Sequence, residues 1–126
     1  MSRAAPRPRF LNLLLIRMPV GALTSLGHRV SGILLFLALP LAAFLLDLSL
    51  QGPEGFERAG QLLRSPLLRA VEILFVWSLV HHLLAGIRFL LIDIDIGVEK
   101  MPARHSALLV NLAAPVLTAL LLWWFW

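Results

Sequence analysis

The sequence predicts an all-α integral membrane protein with three transmembrane helices. Two observations carry this. Hydrophobic residues fill 60% of the 126 positions and charged residues only 14%, against roughly 25% charged in ordinary soluble domains. The apolar residues are also grouped: runs 30–46, 70–87 and 106–126 are free of charge or nearly so, and mean hydropathy is +0.88. A helix crosses a bilayer core of roughly 30 Å with about 20 apolar residues. The third run meets that length alone. The first two meet it when polar residues at their ends reach the interface. The spans are therefore expected near 24–48, 66–94 and 104–125.

Residues 1–23 read as a cytoplasmic arm. The apolar stretch at 13–16 is too short for a signal peptide, because Arg17 and Pro19 interrupt it and no small-residue cleavage site follows. Thr24 and Ser25 are expected to cap the first span. Pro40 inside it and Pro115 inside the third are expected to kink their helices, which a membrane bundle tolerates. The segment 51–64 (QGPEGFERAGQLLR) is polar and reads as a loop. Ser65-Pro66 reads as an N-cap followed by proline at the first helical position, where its missing N–H costs nothing. Gly97 and Pro102 are expected to break the chain after the second span. Trp123, Trp124 and Trp126 form an interfacial anchor at the end of the third.

Charge sets the orientation. Arg3, Arg7, Arg9, Arg17 and Arg29 on the arm side join Arg88, Lys100 and Arg104 of the second loop, against Arg58, Arg64 and Arg69 on the other side. The positive-inside rule puts the N-terminus in the cytoplasm and the C-terminus outside. The chain has 11 Lys+Arg and 7 Asp+Glu, yet it is too apolar for a soluble nucleic-acid binder. Orientation and lipid contact explain the basic arm. With no cysteine, disulfides, cysteine-held iron–sulfur clusters and covalently attached haem are excluded.

Ionisable side chains at membrane depth are costly, so each is a candidate for function. His82 lies about 25 Å along the second span from Ser65, and Arg88 about 9 Å further, at 1.5 Å per residue. His28 and Arg29 lie near the cytoplasmic start of the first span. His28, Arg29, His82, Arg88 and Asp93 thus fall in one leaflet, while Glu72 lies near the outer end. An imidazole in lipid, with cations between it and the cytoplasmic surface, suits a b-type haem: iron takes a histidine nitrogen, and the propionates seek arginine and histidine. Gly86, one turn from His82, would let a flat macrocycle approach the backbone. Helical period does not choose between His81 and His82. The competing reading for each is structural: an interhelical hydrogen bond for a histidine, snorkelling for an arginine, and a local pair with Arg69 for Glu72.

At these residues the chain resembles a known family. Residues 17–32 (RMPVGALTSLGHRVSG) resemble the first signature of the cytochrome b membrane-anchor subunit of succinate dehydrogenase, the larger of its two anchors. That signature has a Pro, a small Ser-containing segment, and His-Arg-x-[ST]-Gly entering the first helix. Residues 82–93 (HLLAGIRFLLID) resemble the second signature, His-x-x-x-Gly-[IV]-Arg-[HF] followed by Asp. The loop 53–59 (PEGFERA) is also similar to proteobacterial members, so the resemblance covers almost the whole chain.

The resemblance implies a helix bundle formed with a second anchor subunit in the bacterial inner membrane. It implies that His82, rather than His81, is the axial ligand of a b haem whose other ligand comes from that second anchor. It assigns propionate contacts to His28 and Arg29, with Arg88 nearby, and quinone binding to Ser25 and Arg29. Asp93 matches the acidic end of the second signature and is given a supporting role. Phe89 stands where relatives often carry His, so it is given none. Implied partners are an iron–sulfur subunit and a flavoprotein subunit, which hold the clusters and FAD. The substrate here is ubiquinone, and the chain alone catalyses nothing. Competing expectations are the anchor of a quinol:fumarate reductase, a haem-free structural anchor, and a small transporter using Glu72 or His81 as proton carrier.

Overall fold

The computed structural model describes residues 17–125 and contains four helices in the order α1 (Val20–Leu50), α2 (Pro53–Leu63), α3 (Pro66–Asp93) and α4 (Lys100–Phe125). Among the described residues there are no strands. Helices α1, α3 and α4 are each long and apolar enough to cross a membrane, so this is a multi-pass membrane protein. The arm up to residue 16 and Trp126 lie outside the described residues.

Two helix starts differ from expectation. α1 begins at Val20, with Pro19 as N-cap, and not at Thr24 or Ser25. Thr24 instead sits fully inside the bundle, where its hydroxyl lies 3.1 Å from the Val20 carbonyl and 3.1 Å from Asn111 Oδ1 of α4. A threonine can satisfy its hydroxyl on the preceding turn, so it is not confined to a helix end. α4 begins at Lys100, and Pro102 belongs to its first turn. There the lost N–H has no intrahelical partner to miss, so proline starts the helix rather than breaking the chain.

The expected start of α3 is present: Ser65 Oγ accepts from the Leu68 amide at 3.4 Å, with Pro66 at the first position. The reversal between α3 and α4 uses positive φ at Asp95 (61°) and Gly97 (75°). The segment read as a loop is helical: α2 starts after Gly52, whose φ of 94° suits glycine. Glu54 in its first turn complements the helix dipole. Gly55 lies against the Leu48 carbonyl, so α2 folds back closely on the end of α1.

α1 packs along α3 and also on α4, which packs on α3. The shared interior is small and polar: Thr24, Ser31, Ser78, Ala85, Ala107 and Ala114 are each fully buried. Large apolar side chains such as Phe36, Leu90 and Leu109 face outwards. In lipid, tails solvate leucine as well as protein does, so helices gain from close approach at small residues. The bundle therefore packs tightly where Gly27 and Gly32 of α1 face α3, which fixes the polar site described next.

Candidate functional site

The site lies along the α1–α3 seam, in the half nearer the α1 start. Its centre is His82, a half-buried ring on α3. His82 Nδ1 is 3.1 Å from the backbone carbonyl of His28 and 3.3 Å from Ser31 Oγ. The Ser31 hydroxyl donates to that same carbonyl at 2.9 Å. A carbonyl only accepts, so the proton of a neutral His82 ring belongs on Nδ1 and donates to His28. Ser31 Oγ, its own proton spent on His28, can accept a share of the Nδ1–H. Nε2 keeps its lone pair.

This is the donor set that a histidine–metal bond requires. Metal-ligating histidines donate their other ring N–H to a carbonyl or carboxylate, which fixes tautomer and ring orientation. The residues thus fit an axial haem ligand at His82. The His28 ring lies parallel to the His82 ring, centroids 4.0 Å apart at 11°, and Phe89 meets His28 edge-on at 5.3 Å. Gly86 lies beneath this pair. A Cβ there would meet His28 Nε2 at 3.5 Å, an ordinary contact, so the His28 ring already occupies the space over Gly86.

The other expected residues fall in four places. Ser25, half-buried, and Arg29, exposed, lie one turn apart on α1, and neither has a hydrogen-bond or ion-pair partner among the described residues. Arg88 is 8% exposed and points at α4: Nε donates to Ser106 Oγ and Nη2 to the Ala103 carbonyl, both at 3.0 Å. It also lines a cleft of about 550 Å³ with Lys100, Arg104 and the first turn of α1. The structure therefore gives Arg88 a tie between helices and leaves Nη1 as its uncommitted nitrogen. Asp93 is exposed at the end of α3. Glu72 lines a separate apolar hollow of about 190 Å³ between α1 and α3, far along α3 from His82.

The two adjacent histidines are sorted by depth. His81 is 4% exposed and turns into the bundle, with the Trp77 ring at 5.2 Å and Asn111 of α4 beside it. Its Nδ1 is buried with no hydrogen-bond partner. His82 is the ring with an oriented Nδ1 on the seam.

Sequence reasoning gave no role to four participants. Ser31 stands in the quoted motif three residues after His28, and that spacing was the available signal. Asn111 is an amide within the uncharged run 106–126. Gly27 and Gly32 become meaningful only once α3 lies over them.

Known proteins resemble this chain over nearly its full length. The sequence profile described as succinate dehydrogenase/fumarate reductase transmembrane subunit matches residues 3–122. The succinate dehydrogenase cytochrome b556 subunit of Coxiella burnetii (strain RSA 493 / Nine Mile phase I) is 32% identical over 123 residues, covering 97% of this chain and 98% of that protein. The protein of the same description from Paracoccus denitrificans is 32% identical over 116 residues, covering 92% of this chain and 89% of its own length. Three helices able to span a membrane, and a family match that runs from residue 3 to residue 122, make this chain a member of the succinate dehydrogenase/fumarate reductase transmembrane subunit family.

Proposed function

We propose that this chain is the cytochrome b anchor of a bacterial succinate:ubiquinone oxidoreductase, with His82 as an axial ligand of a b haem shared with a second anchor subunit. Both named relatives are succinate dehydrogenase subunits, which favours succinate oxidation over fumarate reduction within the family. The observation that carries the haem assignment is the bond from His82 Nδ1 to the His28 carbonyl, which leaves Nε2 available for iron.

The chain's residues act in three ways on this reading. His28 and Ser31 hold the His82 ring through Nδ1. The His28 ring and the Arg29 guanidinium would hold the propionates of a bound haem, with Arg88 Nη1 in a lesser role. Ser25 and Arg29 receive a quinone head group: the hydroxyl bonds one carbonyl oxygen, and the guanidinium favours the charge that the oxygen gains on reduction. Asp93 supports the same cytoplasmic end. A bound b haem supplies a one-electron relay at that end of the bundle.

Electrons reach the quinone from FAD and iron–sulfur clusters in the flavoprotein and iron–sulfur subunits. On this reading the chain sits in the inner membrane with its N-terminus cytoplasmic and its C-terminus periplasmic, an orientation that its Lys and Arg distribution supports.

The test is His82→Ala in the intact complex. The reduced-minus-oxidised Soret band of the b haem is expected to disappear, while succinate oxidation by a soluble dye persists. An unchanged band in assembled complex would remove His82 from the iron.

A further inference from the structure

We propose that Gly27 and His81 form a steric latch that positions the haem ligand, making both of them positioning residues that never touch the iron. The proposal rests on the haem reading above. It starts from His81, a buried imidazole that the haem site does not use and whose Nδ1 has no partner.

His81 packs ring-first onto Gly27. A Cβ at position 27 would lie 2.6 Å from His81 Cε1 and 2.9 Å from Nε2, distances no real side chain tolerates. Two neighbours restrict the ring's retreat: Trp77, with ring centroids 5.2 Å apart on its own helix, and Asn111 of α4 beside it. His82 packs likewise on Gly32, where a Cβ would come within 3.0 Å of Cε1. Consecutive histidines of α3 thus grip α1 at Gly27 and Gly32. Between those two glycines lie His28 and Ser31, the groups that hold His82 Nδ1.

The grip fixes how far α3 stands from α1 and in what register. An N–H···O bond of 3.1 Å weakens steeply when its partners move by a few tenths of an ångström or turn away. A methyl at position 27 must displace the His81 ring, and whatever part of that displacement the ring cannot absorb by rotation passes to the α3 backbone, which carries His82. The latch therefore predicts that a change on α1 facing away from the ligand ring reaches the iron through the helix pair.

The experiment uses the full complex carrying Gly27→Ala, His81→Ala or both. Gly27→Ala is expected to lower haem occupancy about tenfold, the range for loss of a ligand's orienting partner, or to shift the haem midpoint potential and its electron paramagnetic resonance signature. His81→Ala alone is expected to keep haem but to shift its midpoint potential and electron paramagnetic resonance signature, because half of the grip on α1 is gone; a native potential and signature in that variant overturns the latch. The double variant regains haem, because the missing ring makes room for the added methyl. A native spectrum and potential in Gly27→Ala overturns the proposal, as does a double variant no better than Gly27→Ala. If Gly27→Ala fails to assemble, recovery of assembly in the double variant supports the latch, and no recovery overturns it. Wild-type complex without haem would sink the haem reading instead. The thermal midpoints of the four proteins would then still report whether positions 27 and 81 are coupled.

Discussion

At the scale of single residues, the site depends on which proton sits where. Ser31 donates to the His28 carbonyl and lies beside His82 Nδ1, so one hydroxyl serves both partners. An aliphatic residue at 31 would leave the carbonyl to hold the imidazole alone. His81 shows the opposite economy, since a buried donor or acceptor left unmatched costs about 1–3 kcal/mol. Its packing on Gly27 is the compensation visible in the fold. Depth arithmetic along the sequence put His28 and His82 in the same leaflet. Their ring-on-ring contact was not legible, because it depends on the rotation of α1 about its own axis. Ser31 was in view but without a role, since a serine in a helix ordinarily bonds its own backbone. Arg29 gives this scale its prediction. Its guanidinium has no ion-pair partner among the described residues, so it is available to a charged or polarised ligand. Arg29→Ala is expected to cut quinone reduction on the order of 100-fold, as for loss of a donor aimed at developing negative charge. Succinate oxidation by a soluble dye should stay within a factor of about two, since it bypasses the membrane site. Equal loss of both activities would move Arg29 to a structural role.

At the scale of elements, lipid made the spans easy to read and the short helix hard. Long charge-free runs have no reading other than burial or bilayer, so α1, α3 and α4 stood out. α2 was hidden because Gly52-Pro53 signals a turn and Glu54, Glu57, Arg58 and Gln61 interrupt its apolar residues. Its helical face is narrow: Gly55 and Ala59 turn inwards, while Phe56 stays 70% exposed. Phe56, Ala59 and Leu63 do recur at helical spacing, so an amphipathic period was present in the sequence and was masked by the turn signal at its start. The tie between α3 and α4 was equally silent, because Arg88 at a membrane boundary reads as a snorkelling cation. The structure turns it inwards to Ser106 and to the first turn of α4. A buried guanidinium deprived of an acceptor keeps its desolvation cost without the offsetting bond. Ser106→Ala should therefore destabilise the assembled complex by about 1.5–3 kcal/mol, the range for hydrogen bonds to charged groups. The check is the thermal midpoint of the detergent-purified complex, expected to fall with the haem spectrum unchanged. An unchanged midpoint would mean that the Ala103 carbonyl alone holds Arg88.

For the whole molecule, the distribution of side chains is that of a soluble protein turned inside out. Alanine, serine and threonine fill the interior, and phenylalanine, leucine and isoleucine cover the outside. That outside matches lipid and partner helices but not water, which is why the chain needs a membrane to fold around. Such a surface fixes depth but not direction, because both leaflets are equally apolar. Direction comes from the ends: Lys100 and Arg104 lie with Arg88 and the α1 start at one end, while α2 marks the other. The positive-inside rule predicts α2 on the periplasmic side, and the absence of cysteine makes this testable without background from this chain. Gln61 is an exposed residue of α2, so Gln61→Cys offers a thiol at the surface of that helix. A membrane-impermeant maleimide is expected to label it in spheroplasts, read as added mass on this chain. In inverted vesicles the same thiol should react only after detergent. Labelling in inverted vesicles alone would reverse the topology. The His82 seam, placed near the cytoplasmic face by the same charges, would then face the periplasm, where a soluble iron–sulfur donor on the cytoplasmic side could not reach it.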